Sequence, residues 1–330
     1  MGKLANIESR LRELLLSSRA AEDLSRQLLK GGELGGEFRS NDESSQEKWI
    51  QRVACHLVWL DHDDYSRALI RSIWLAPRFA GTDFGTSRQR DLAQVWTDAA
   101  RGFLGELAFR KFLRDRFGVL VELSSRRGSL EEFLPSDIDK IQEPGGAWRK
   151  PRLNLSIKTT KFNGRWLDLP GKQFEHSDVF VLVKLGISRT HFLSFLKHIS
   201  FIMDKLIPLA RELGELNEEE ASKLWGDLPE FTPIPAYIAG FLEKEKISTP
   251  IHRVECRVKG KTRKRIEIVA GVGLFSRTTL RSLREIQGLD PQGKLPIVVD
   301  PIIDSLTDNP HFLANSGALA FNWEGLIRRL

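Results

Sequence analysis

The apolar run Val179–Val183 is the feature that most narrows the possible folds of this chain. It contains no polar residue, and β-branched valine alternates with Phe and Leu. A short run of this kind is typical of a central strand that is covered on both faces of its sheet. A helical pattern and further strand patterns precede it, so the sequence predicts an α/β core.

The segment from 153 to 158 is predicted to be a strand with two different faces. Successive side chains of a strand point to opposite sides. One side carries Leu153, Leu155 and Ile157, and the other carries Asn154, Ser156 and Lys158. Because a buried unpaired ammonium is costly, Lys158 has to be solvated or paired with an anion.

Asp137 is the first candidate partner of Lys158. The turn Glu143–Gly146 lies between them, and its Pro and Gly residues favour reversal of the chain. If residues 137–141 and 152–160 are neighbouring strands of a hairpin, Asp137 lies beside Lys158.

A helix is predicted over residues 89–117, with Glu106 at the edge of its apolar face. Gly102 and Gly105 weaken a helix relative to Ala, so their presence indicates close approach of another backbone. A helix packed on a sheet, with Glu106 directed into a site, accounts for both observations. The alternative is a surface glutamate that is stabilised by Arg110 one turn later.

Glu106, the segment Ser136-Asp137-Ile138 and the tripeptide Ser156-Ile157-Lys158 together resemble the PD-(D/E)xK nuclease superfamily. The resemblance covers about the middle third of the chain. It implies a restriction-endonuclease-like core, a mixed central sheet flanked by helices, with helical N-terminal and α+β C-terminal additions. The family usually has Glu or Asp where this chain has Ser156, and Glu106 is the candidate replacement.

The resemblance also implies roles for these residues. Catalysis would depend on Glu106, Asp137, Ser156 and Lys158. One or two Mg²⁺ ions would be bound by Asp137, Glu106 and the backbone carbonyl of Ile157, because Mg²⁺ prefers oxygen ligands. Asp139 is a spare carboxylate on the same strand face as Asp137.

The activity that follows is hydrolysis of phosphodiester bonds in double-stranded DNA by a Mg²⁺-dependent endodeoxyribonuclease. Within the family, the large helical additions are similar to those of type II restriction endonucleases, which usually act as homodimers. Three alternatives stay open: a DNA-binding protein of the same fold without catalysis, a repair or recombination nuclease that recognises branched DNA, and a helical interaction protein with an unrelated core.

The charge of the chain is compatible with a nucleic acid partner, since 50 Lys and Arg residues exceed 44 Asp and Glu residues. The densest basic cluster lies between two strand-like segments near 254–258 and 266–269. The candidate nucleic-acid-binding residues are Lys161, Lys259, Lys261, Arg263, Lys264 and Arg265. The alternative for the cluster is a solvated hairpin tip whose charges protect a sheet edge.

Three regions are predicted: a helical region over 1–88, the catalytic core over 89–190, and a C-terminal region over 191–330 with the basic hairpin. Single helices are expected over 4–30 and 236–244, and one or two helices over 46–76. A strand is expected over 119–123, and an amphipathic helix around Trp323. No apolar run approaches the roughly 18 residues of a membrane span. The two cysteines, Cys55 and Cys256, lie far apart, so a reduced, cytoplasmic protein is expected.

Overall fold

A four-stranded mixed sheet forms the centre of the protein in the computed structural model, which describes residues 2–16, 20–80, 92–124, 136–197, 200–246, 251–258, 261–269 and 311–330. Its strand order is β1 (Leu57–Leu60), β7 (Ile234–Glu243), β6 (Val179–Leu185) and β4 (Leu155–Lys161). β4 and β6 are parallel, whereas β7 is antiparallel to both of its neighbours. The mixed α/β class is therefore confirmed.

The remaining elements flank this sheet. The helices are α1 (Gly2–Leu14), α2 (Ala21–Leu34), α3 (Glu43–His56), α4 (His62–Ala80), α5 (Leu92–Phe117), α6 (Gly171–His176), α7 (Arg189–Leu196), α8 (Ile207–Glu212), α9 (Glu218–Asp227) and α10 (Trp323–Ile327). The other strands are β2 (Leu120–Leu123), β3 (Ile138–Gln142), β5 (Trp166–Pro170), β8 (Ile251–Val258), β9 (Lys261–Val269) and β10 (His311–Asn315).

Each face of the central sheet is buried by a different layer. On one face, α4 and α5 pack on the sheet, and Leu104 and Phe109 of α5 belong to the same hydrophobic cluster as Val181 of β6. On the other face, α1, α2 and α3 pack against Phe180 and Tyr237. β6 is buried along its whole length, as its apolar sequence predicts.

The described residues also form two smaller sheets. β5, β10, β9 and β8 form a second sheet in that order, and β2 pairs with β3. The pairing of β8 with β9 confirms the predicted C-terminal hairpin, with Val258 opposite Lys261. The central sheet takes strands from all three predicted regions, whose boundaries stay predictions.

Several predicted elements are confirmed. The long helix is present as α5, and the strand patterns near 119–123 and 152–160 are present as β2 and β4. The tail helix around Trp323 is α10. None of the described helices is both long and apolar enough to cross a membrane.

The predicted helix over 236–244 is wrong, because residues 236–243 belong to the buried strand β7. A short continuous apolar run fits a buried strand and a buried helix equally well, so its periodicity could not decide between them. The short strand β1 was also missed, since the segment from 46 to 76 was assigned to helices alone.

The single helix predicted over 4–30 is also wrong. The structure has α1 and α2 as separate helices, and α2 continues through Gly31 to Leu34. Gly31 lies where α2 touches the backbone of Phe162 and Asn163, and an added Cβ would be 2.2 Å from the Phe162 carbonyl oxygen. That glycine permits close packing and does not end the helix.

The predicted hairpin of 137–141 with 152–160 is not a regular two-stranded ladder. β3 pairs with β2, and β4 pairs with β6. The two segments touch only at the start of β3, where the Asp137 amide donates to the Leu155 carbonyl at 2.8 Å. The turn at Glu143–Gly146 is present, with Gly145 in the left-handed region at φ 73°.

Candidate active site

Asp137 lies immediately before β3, at the edge of β4. Its Oδ2 atom accepts a hydrogen bond from the backbone amide of Ile157 at 2.5 Å. Its own amide and carbonyl are bonded to Leu155 and Ser124 respectively. The carboxylate is thus fixed against β4, at the residue before Lys158. The expected proximity of Asp137 and Lys158 is confirmed, although their segments do not form the predicted two-stranded hairpin.

Glu106 reaches the same place from α5. Its side chain is 15% exposed, at the edge of the buried face of the helix. Gly105 makes this possible, because a Cβ there would be 1.9 Å from Oγ1 of Thr159 on β4. The close approach predicted from the two glycines is confirmed at Gly105, whereas a Cβ at Gly102 would meet nothing within 4 Å.

Lys158 extends from β4 toward α6, and its ammonium group donates a hydrogen bond to Oε1 of Gln173. This partner is neutral. Negative charge comes from Asp137, Asp168 and Glu106, all of which raise the pKa of Lys158 against the effect of burial. Lys158 is therefore held in place by one residue and surrounded by three carboxylates.

Glu106, Asp137, Asp168 and Lys158 are here called the cluster. Arg71 of α4 brings a second positive charge to it. Its Nη1 atom lies 3.7 Å from Oε2 of Glu106. Its guanidinium stacks over the ring of Phe103 at 4.4 Å and donates to the carbonyl of Ser124. Ser124 in turn bonds to the backbone of Asp137, so Arg71 is connected to both Glu106 and Asp137.

The charged forms of both acids are destabilised. Burial and the nearby Asp137 charge raise the pKa of Glu106 well above its usual value, against the effects of Arg71 and Lys158. Burial also raises the pKa of Asp137, which Lys158, the Ile157 amide and Arg71 oppose. Burial lowers the pKa of Lys158. Adding a cation between the carboxylates would relieve this repulsion.

The donor set of the cluster fits Mg²⁺. The ion prefers hard oxygen ligands and retains several waters, so two protein carboxylates are enough to hold it. Glu106 and Asp137 supply carboxylate oxygens at a partly buried position. Among the described residues, no group of three or more His, Cys, Asp or Glu side chains is arranged to hold a metal.

The other predicted site residues have different surroundings. Ser156 is 5% exposed and pairs with Phe180 on β6, so it is a buried strand residue near the cluster. Asp139 is half-buried on β3, two residues from Asp137. The role of the Ile157 carbonyl stays a prediction. Lys161 is exposed at the end of β4.

The predicted nucleic-acid-binding cluster lies on and next to β9. The structure corrects its form, because the strand already begins at Lys261 and the basic residues do not form a seven-residue tip. Lys261, Arg263, Lys264 and Arg265 belong to this strand. Lys259 lies outside the described residues.

The segment His176-Ser177-Asp178 contributes to the fold and not to the cluster. Asp178 accepts a hydrogen bond from the amide of Asn154 at 2.8 Å, and its own amide donates to the Asn154 carbonyl. These bonds align the starts of the parallel strands β4 and β6.

Three residues in or beside the cluster were missed in the sequence. Asp168 had a signal, because it alternates with Leu167 and Leu169 in a strand-like pattern. The sequence gives no signal for Arg71 or Gln173, since each lies on a helix with many other polar residues.

Comparisons with known proteins return no match. No protein family matches the chain, and neither a curated protein nor a solved structure matches it. A functional assignment therefore has to come from the chemistry of the site.

Proposed function

We propose that the protein is a Mg²⁺-dependent endodeoxyribonuclease that hydrolyses double-stranded DNA and has a restriction-endonuclease-like core. The observation that carries the proposal is the convergence of Glu106, Asp137 and Lys158. These residues come from a helix, the start of one strand and the middle of another. Burial shifts the pKa values of all three, and each of them also interacts with the charge of at least one of the others.

In this proposal Asp137 and Glu106 hold one or two Mg²⁺ ions. When bound, the ion would supply charge neutralisation at the phosphate and a more acidic water. The water oxygen bonds to phosphorus, one P–O ester bond breaks, and a proton goes to the leaving oxygen. The Ile157 amide fixes the orientation of Asp137, and Gly105 allows Glu106 to approach β4.

Lys158 stabilises the negative charge that develops on the phosphate and positions the attacking water. A fixed positive charge in a partly dry site stabilises a transition state more than it would in water. Gln173 keeps the ammonium from pairing permanently with one of the surrounding acids, because it offers a neutral acceptor. Arg71 provides a second donor for phosphate oxygens.

The test is incubation of the pure protein with unmethylated phage DNA, in Mg²⁺ and in EDTA. We expect cleavage in Mg²⁺ only, and a decrease of about a hundredfold to a thousandfold for Lys158→Ala. Lys140→Ala is the matched control, because Lys140 is an exposed lysine paired with Glu122 at 2.9 Å. Cleavage that persists in EDTA or in Lys158→Ala would refute the proposed chemistry.

The pattern of products separates the finer proposals. Discrete bands would support a sequence-specific type II restriction endonuclease, and a homodimer by sedimentation would support its usual assembly. Cleavage of branched DNA alone would support a repair or recombination nuclease. A cytoplasmic location stays a prediction.

A second candidate is a DNA-binding protein of the same fold without catalysis. Ser156 is the observation that favours it, because the position usually occupied by an acid is a buried serine. Binding of duplex DNA without cleavage in Mg²⁺, unchanged in Lys158→Ala, would identify this function.

A further inference from the structure

Four arginines occupy the α4–α5 layer next to the candidate site. Arg67 and Arg71 are four residues apart on α4, and Arg110 and Arg114 are four residues apart on α5. Glu106 is four residues before Arg110. Because residues four apart on a helix are neighbours on one face, each helix presents a stripe that leads to the site.

Contacts between the two helices fix how the stripes align. Lys111 of α5 is bonded to Asp61 at 2.8 Å and also pairs with Asp64, at the start of α4. Farther along, Arg71 of α4 meets Glu106 of α5. The helices are therefore antiparallel, and Arg67, between these contacts, lies level with Arg110.

The two stripes lie side by side and form one row of arginines. This row contains more positive than negative charge. Within the described residues, Arg67 and Arg110 have no ion pair and no hydrogen bond. Arg114 pairs with its neighbour Asp115 at 2.6 Å. The charge of the buried Asp64 acts on Arg110, and Asp64 already pairs with Lys111.

The pKa of Arg110 is consistent with crowded guanidinium groups. Burial lowers it, and so do the charges of Arg67, Arg114 and Arg71, whereas Asp64 raises it. An anion placed over the row would relieve this repulsion.

We propose that Arg67, Arg71, Arg110 and Arg114, here called the arginine track, bind the phosphodiester backbone of DNA and lead it to Glu106 and Asp137. The proposal rests on the proposed function for the identity of the substrate. Guanidinium groups match phosphate geometry with two parallel hydrogen bonds. From Glu106 to Arg114 the helix rises about 12 Å, comparable with three or four nucleotides of one strand at about 3.4 Å each.

The test is the affinity of the full chain for a short fluorescent duplex, measured by anisotropy in EDTA at several salt concentrations. The variant is Arg67→Gln/Arg110→Gln. The control is Arg12→Gln/Arg39→Gln, which removes the same charge from exposed arginines in the layer that covers the opposite face of the sheet. Arg67→Gln/Arg114→Gln, at two exposed positions, repeats the test if the Arg110 change impairs folding.

We expect the track variant to lose affinity by on the order of tenfold and to reduce the slope of log K against log salt by about 2, one unit for each phosphate contact. The control should leave the slope unchanged. An unchanged slope in a folded track variant would overturn the proposal, as would an equal loss in the control.

Cleavage assays keep this result separate from the proposed nuclease. If the wild type cuts DNA and the folded track variant cuts it with unchanged KM, the proposal of the arginine track is wrong and the proposed nuclease activity is supported. If the wild type does not cut DNA and the track variant still loses affinity, the track stands as a DNA-binding surface and the nuclease fails.

Discussion

Two lysines on neighbouring parallel strands have opposite surroundings. Lys158 on β4 is paired in register with Leu182, and Lys184 follows two residues later on β6. Since side chains alternate along a strand, both lysines project from the same face of the central sheet. Lys184 belongs to a closed network of hydrogen bonds, whereas Lys158 bonds to a neutral amide and lies near three carboxylates.

Lys184 is fully buried and bonded to Glu37 at 2.5 Å. The carboxylate of Glu37 also accepts hydrogen bonds from Trp49 at 2.8 Å, Tyr237 at 3.0 Å and Ser316 at 2.8 Å. The guanidinium of Arg52 lies 3.5 Å from the same carboxylate. This network joins the end of α2 to β6, β7 and the segment after β10.

Lys158 has a neutral hydrogen-bond partner and three nearby carboxylates. Lys158 and Arg71 lower the pKa values of Glu106 and Asp137, yet both values stay raised because burial opposes their charged forms. The comparison teaches that a satisfied polar network serves the fold, whereas an unbalanced one leaves room for a cation and an anionic substrate.

Removal of Lys184 should have the largest effect on stability. Lys184→Met leaves the Glu37 carboxylate buried without its main cation, and we expect a loss of about 3–5 kcal/mol in the free energy of unfolding. Lys158→Met should cost clearly less, because Lys158 is only half-buried and its hydrogen-bond partner is neutral. Urea unfolding of both variants is the measurement, and equal losses would break the comparison.

Acid should weaken the Glu37 network next. Interactions with Lys184 and a nearby arginine lower the pKa of Glu37 from 4.5 to about 2 despite the effect of burial. Between these values the unfolded chain binds the proton and the folded chain does not, so stability falls as the pH falls. The contribution is at most about 3 kcal/mol. Urea titrations across this pH range should show that the free energy of unfolding depends more steeply on pH in the wild type than in Glu37→Gln. Equal slopes would contradict the lowered pKa of Glu37.

A divalent cation should stabilise the region around Glu106, Asp137 and Lys158. At about 100 times its dissociation constant, bound Mg²⁺ adds about 2.7 kcal/mol. Thermal unfolding with increasing Mg²⁺ should therefore raise the Tm of the wild type and not of Asp137→Asn. Asp63→Asn removes an exposed carboxylate and should respond like the wild type. A Tm that rises equally in all three proteins would show that the cation binds elsewhere.

Glu106→Gln should produce the smallest effect, and of opposite sign to Lys184→Met. In EDTA we expect a gain of about 1 kcal/mol at neutral pH, because the charged carboxylate is opposed by burial and by Asp137. The raised pKa means that the folded wild type retains a proton which the unfolded chain releases, so its stability falls as the pH rises. Urea unfolding beside the surface control Glu122→Gln is the measurement, and a loss of stability would contradict the repulsion.

Residue type and local periodicity were enough to predict much of the site. The alternation around Lys158, the apolar run of β6 and the long helix that carries Glu106 are all local patterns. Asp137 followed from a turn and from one family resemblance. The structure brings these residues together as expected.

What could not be predicted depends on contacts between distant segments. Lys184 lies in an apolar strand, and its partner Glu37 is 147 residues away in the sequence. Arg71 reaches the cluster only because α4 packs on α5. β7 was assigned to a helix because nothing local to it reveals the two strands that it separates.

The position of β7 also has a consequence for the order of events during synthesis. β7 lies between β1 and β6, and Val58 pairs with Ala236. As the chain leaves the ribosome, β1 has no partner in this sheet until residues beyond 234 have appeared. Such distant pairing slows folding. The sheet that supports Lys158 therefore closes late, long after the three acids and the lysine have been translated.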